Sequence, residues 1–213
     1  MPIHRLSSAP FLPAWVLLSL GSTAFASPVL GQVRPPETQA NPAGYPITRA
    51  DVDFVTGMIS HHAQAVVMAK LAPERASSRA VQTLCARILN AQTDEIVLLQ
   101  RWLEDHGQPV PEAKPMPMKM MMGGMEHEVM MPGMLSDAQM QELERSTGVE
   151  FDRNFLTFMI QHHEGAVTMV NDLLASPGAA QDVAVYKFAS DIYADQTTEI
   201  TRMKQMLSAL PPR

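Results

Sequence analysis

Cysteine is nearly absent from this chain: Cys85 stands alone, so no intrachain disulfide can form even in an oxidising compartment, and stability must come from packing. Aromatic residues are few, with 7 phenylalanines, 3 tyrosines and 2 tryptophans. Clustered positive charge is also missing. The formal net charge is -6, and no Lys/Arg patch offers nucleic-acid phosphates the concentrated basic surface they require, which excludes a nucleic-acid partner. Nor is there an unbroken apolar run of the ~20 residues that a membrane-spanning helix needs. The longest candidate, Phe11 to Phe25, is interrupted by Pro13 and Gly21.

That run follows His4 and Arg5 and ends on Ala24-Phe25-Ala26, the pattern of a signal peptide over residues 1–26 cleaved after Ala26. An uncleaved N-terminal anchor is the rival reading. The absence of a cysteine after the run argues against a lipid anchor, so a periplasmic or secreted protein without stable membrane insertion is expected. Residues 27–47, with Pro28, Pro35, Pro36, Pro42, Gly44 and Pro46, read as a flexible leader. Residues 48–210 then form a single domain.

Within it, Thr48 and Asp51 start a helix whose apolar positions, Val55, Met58, Ile59 and Val66, keep helical spacing until Pro73. A second helix is expected from about Ser77 to His106 before Gly107 and Pro109. Ser136 and Gln139 resemble a capping box for a short helix. Phe151, Phe155, Met159, Ala166 and Met169 mark a third long helix ended by Pro177-Gly178, and the last is expected from about Ala179 to Ala209.

What the chain has in excess is methionine, 17 residues, of which Met116, Met118, Met120, Met121, Met122, Met125, Met130, Met131 and Met134 lie in one connection, 107–135. Its glycines and prolines predict a loop whose thioethers, with His127, can converge on one ion. A methionine-rich linker without a ligand, or an oily partner-binding loop, is the plainer alternative.

The two halves also repeat each other. Phe54-Val55-Thr56-Gly57-Met58-Ile59-Ser60-His61-His62 aligns with Phe155-Leu156-Thr157-Phe158-Met159-Ile160-Gln161-His162-His163; Asp51 matches Asp152, Met68 matches Met169, and Gln92 and Glu95 match Gln196 and Glu199. Two like hairpins predict an all-α, antiparallel four-helix bundle with equivalent side chains facing each other near its centre. Each His-His helix offers imidazole and thioether on neighbouring turns: Met58, His61, His62 and Met68 in one, Met159, His162, His163 and Met169 in the other. Imidazole suits several transition metals and thioether a soft ion, and the mixture points to copper. The alternatives are a hydrogen-bonded histidine pair and methionines that simply fill the core. Glu95 and Glu199 could accept the spare N–H of a histidine, or else sit at solvated bundle ends.

At these residues the chain resembles a known family: ferritin-like, exported proteins of a "domain of unknown function" class that includes the CopM-type periplasmic copper-binding proteins. The carriers are Gly148-Val149-Glu150-Phe151-Asp152-Arg153, Phe155, Met159-Ile160-Gln161-His162-His163-Glu164-Gly165-Ala166 and Met169, with a looser copy from Asp51 to Ala69 followed by Gln92, Glu95-Ile96 and Trp102-Leu103. The resemblance implies a periplasmic four-helix bundle that binds copper, and silver in some members, for metal tolerance without catalysis. The chain departs from the family pattern at Leu99 and Met206. A di-iron oxidase of the ferritin type needs Glu-x-x-His on two helices, and neither His-His helix has it. A metal-free interaction or envelope-stress module is the remaining alternative, and the oligomeric state is open.

Overall fold

In the computed structural model the described residues are 46–122 and 125–212. The signal peptide expected over 1–26, and all but the end of the leader expected over 27–47, lie outside them. The described part is mostly helical: α1 (Arg49–Ala69), the one-turn α2 (Ala72–Arg75), α3 (Arg79–Asp105), α4 (Asp137–Arg145), α5 (Gly148–Ala175) and α6 (Val183–Ser208). Among the described residues no helix is long and apolar enough to cross a membrane.

The helix starts follow local chemistry. Thr48 and Asp51 form a reciprocal capping box on α1, and Ser136 with Gln139 does the same on α4, each satisfying backbone donors that a helix leaves free. Ser78 caps α3. The last long helix begins later than the sequence pattern suggests, at Val183, because the Asp182 side chain accepts from the Ala184 and Val185 amides. Ala180, with φ of 55°, turns the chain beforehand.

The methionine-rich connection is the main departure from expectation. In place of an irregular loop, β1 (Met118–Met122) pairs antiparallel with β2 (Met125–Val129), with Met120 opposite His127 and Met122 opposite Met125. The dipeptide between the strands in sequence, Gly123-Gly124, is of the kind two-residue hairpins favour.

Helix α1 packs on α3, α5 on α6, and α1 on α5. Two carboxylates tie the halves together. Asp51, near the start of α1, accepts from the Ala180 amide at 2.7 Å, beyond the end of α5; Asp152, near the start of α5, accepts from the Ser78 amide at 2.9 Å, beyond the end of α1. The two helices therefore run antiparallel, each holding the other's exit turn. Apolar side chains divide into two clusters. One contains Met58, Met131, Met134 and Met169, the other Met68, Leu84, Cys85, Phe155 and Met159.

Candidate metal centre

Adjacent histidines on a helix point about 100° apart, so each His-His pair must send its rings in two directions. One ring of each pair, His61 from α1 and His162 from α5, meets the other across the helix contact, with centroids 3.9 Å apart and planes 38° apart. The remaining rings turn outward toward α3 and α6. There His163 Nε2 hydrogen-bonds to Glu199 Oε2 at 2.7 Å, and His62 Nε2 lies 2.8 Å from Glu95 Oε2, close enough for an ion pair but outside hydrogen-bonding alignment. Glu95 and Glu199 thus occupy equivalent places beside equivalent histidines.

All four histidine residues are fully buried. Burial penalises the charged ring, and the neighbouring histidines add to the penalty. His61 is lowered from the ordinary value of 6.5 to about 3, by desolvation first and by His62 second. Desolvation likewise holds His162 well below the ordinary range, and His163 is lowered although Glu199 opposes the shift. These three rings are neutral near pH 7. Their nitrogen lone pairs are the form a metal binds.

Several nitrogens of the four rings have no hydrogen-bond partner among the described residues. Nδ1 of His61, His62 and His163 lacks one, and so do both ring nitrogens of His162. The His61 carbonyl lies near the His162 ring but not in hydrogen-bonding alignment. Buried polar atoms are nearly always hydrogen-bonded in native proteins, so this concentration of unsatisfied nitrogen fits a group that receives a ligand. Among the described residues, no three His, Cys, Asp or Glu side chains are arranged to hold a metal ion.

The methionines sort into three groups. Met58, Met68 and Met159 are fully buried and Met169 nearly so, all within the apolar clusters, so they pack whatever else they do. Met116, Met125 and Met130 are exposed, whereas Met131 and Met134 are buried against α1 and α5 residues. Met118, Met120, Met121, Met122 and His127 lie on the ladder's backbone. Cys85 is a packing residue: burial, with Asp152 nearby, pushes its thiol up to about 12, far from a thiolate ligand.

A strap formed by residues 131–135 crosses α1 and α5 beside His61, and this the sequence pattern does not reveal. The Pro132 carbonyl accepts from His61 Nε2 at 3.0 Å. The Gln64 carboxamide grips the Leu135 backbone twice, donating to its carbonyl at 3.0 Å and accepting from its amide at 2.7 Å. Gln161 donates to the Gly133 carbonyl at 3.3 Å. On the α5 side the strap presses so close that a Cβ on Gly165 would stand 2.0 Å from the Pro132 carbonyl oxygen. The one available signal is a difference between the two aligned His-His segments: Gln64 falls where the second segment has Gly165, one gripping the strap and the other making room for it.

Residues 51–207 match the family described as "Domain of unknown function (DUF305)". Among solved structures, a DUF305 fragment from Deinococcus radiodurans is 32% identical, with 78% of this chain and 99% of that one covered and a TM-score of 0.63. A DUF305 protein from Streptomyces coelicolor is 28% identical, covering 75% and 92%, with a TM-score of 0.63. CopM in its Cu(I)-bound form is 26% identical, covering 74% and 95%, with a TM-score of 0.56, and has also been solved with Cu(II) and with silver. No curated protein matches the chain. A match over most of its length, with buried histidine pairs at the centre, places the chain in the DUF305 family.

Proposed function

We propose that this protein is a periplasmic copper-binding protein, taking Cu(I) where sulfur dominates, Cu(II) where imidazole does, and silver as a soft analogue, and that it buffers or sequesters the ion without catalysing a reaction. In this reading the domain is a four-helix bundle of two duplicated hairpins, α1/α3 and α5/α6. The observation that carries it is His162: a fully buried imidazole with neither nitrogen satisfied, stacked on His61. A histidine kept only for structure would be expected to hydrogen-bond. The resemblance to CopM, solved with Cu(I), Cu(II) and silver, supports the choice of ion. The histidine pairs supply the ordered sites and the exposed methionines of the hairpin region a second, looser set.

The test is competitive titration of the mature protein with Cu(I) and Cu(II), with Zn(II) for comparison, in the native protein and in a variant with His61, His62, His162 and His163 all replaced by alanine. Copper bound more tightly than zinc and weakened in the variant supports the reading. Equal copper content in the two proteins removes the histidines from it, and no binding in either leaves a metal-free interaction module as the better account.

A further inference from the structure

A cargo ion must reach rings that are wholly inside the protein. On one side the strap covers His61 through the Pro132 carbonyl. On the other side, between α3 and α6, the cover is thin. Glu95 and Glu199, the carboxylates that touch His62 and His163, keep 22% and 16% of their side chains exposed while the rings keep none. They line a cavity of about 140 Å³ together with Arg87, Ala91, Gln92, Asp195, Gln196 and Thr198.

The cavity has the chemistry of a cation path. Three carboxylates, Glu95, Asp195 and Glu199, border it against one guanidinium, Arg87. Gln92 and Gln196 are each 2% exposed, and among the described residues the carboxamide oxygens of both have no hydrogen-bond partner. An ion losing its water shell needs such oxygens on the way.

We propose that this α3/α6 cavity is the port through which the cargo cation enters, with Asp195, Glu95 and Glu199 drawing the hydrated ion in and Gln92 and Gln196 replacing its waters beside His62 and His163. The inference rests on the metal-binding reading above. Electrostatic attraction into a lined cleft raises association rates by factors of ten or more and falls with ionic strength.

The experiment is stopped-flow uptake of Cu(II), followed by its imidazole-dependent absorbance, using the phase absent from a His62→Ala/His163→Ala protein. Ala91→Trp, at an exposed lining position, fills the mouth; Asp195→Lys reverses charge there; Arg87→Gln removes the opposing charge; Asp137→Lys, on α4, controls for net charge. Uptake should slow on the order of tenfold in Ala91→Trp and Asp195→Lys at unchanged stoichiometry, quicken in Arg87→Gln, and stay near native in Asp137→Lys. Undiminished rates in both Ala91→Trp and Asp195→Lys overturn the port while leaving copper binding intact. A native protein that takes up no Cu(II) in a histidine-dependent phase overturns the port and counts against the imidazole sites beneath it.

Discussion

His162 is the residue at which stability and function part. Its unsatisfied nitrogens cost the metal-free fold free energy, so His162→Phe, of similar shape, should leave the unfolding free energy of the metal-free protein unchanged or raise it by about 1 kcal/mol while copper affinity falls. A loss above about 2 kcal/mol in metal-free unfolding would instead mark a structural ring. Acid acts through the same burial. His61 keeps its neutral form down to about 3 in the folded state but protonates near 6.5 when unfolded, so unfolding takes up protons as the pH falls between those values. Stability is complete above about 6.5 and declines by about 1.4 kcal/mol per pH unit per such histidine below it, with His162 and His163 acting in the same direction. Urea unfolding of metal-free protein at pH 7, 5 and 4 measures this, and a flat profile would contradict it. His61, His62, His162 and His163 were visible in the sequence because they recur in one context. That Glu95 and Glu199 could reach a histidine was legible as one of two alternatives, but which histidine of each pair they meet, His62 and His163, depends on how the helices pack.

Among the elements, the helices were readable because caps and periodicity are local, whereas the strap was not, since nothing in Pro132-Gly133 announces which helix it will touch. The late start of α6 has the same origin: Asp182 is recognisable as a cap only once the Trp102 indole, donating to it at 3.1 Å, shows where the chain must lie. The ladder of β1 and β2 escaped because methionine is not a marked strand former, and Gly123-Gly124 serves a loop or a hairpin equally. The strap gives sharp expectations. Gly165→Ala should destabilise the protein by about 1–3 kcal/mol, because the new methyl meets backbone that cannot rotate aside. Gln64→Leu removes both bonds to Leu135 and should cost about 1–3 kcal/mol, with earlier proteolytic cleavage within 116–135 as the local readout. Unchanged stability and cleavage in both variants would show that the strap contributes nothing.

For the whole molecule, Met131, Met134 and Leu135 are buried and belong to the core, whereas Met116, Met125 and Met130 of the same region are exposed. Replacing Met116, Met118, Met120, Met121, Met122, Met125 and Met130 with leucine should lower Cu(I) stoichiometry and leave the circular dichroism and melting of the helices near native. Replacing Met131 and Met134 with serine should lower melting as well. Full stoichiometry in the seven-residue variant would assign all copper to the helices.

The strap also governs how one copy of this chain meets another. Two similar hairpins joined by a long connection are the usual starting point for domain swapping, in which one molecule's second hairpin docks on its neighbour's first. Here the connection is fastened to α1 at Gln64 and His61, so an exchange in which the second hairpin leaves α1 must first break those bonds. The same backbone that covers His61 is therefore expected to disfavour such an exchange.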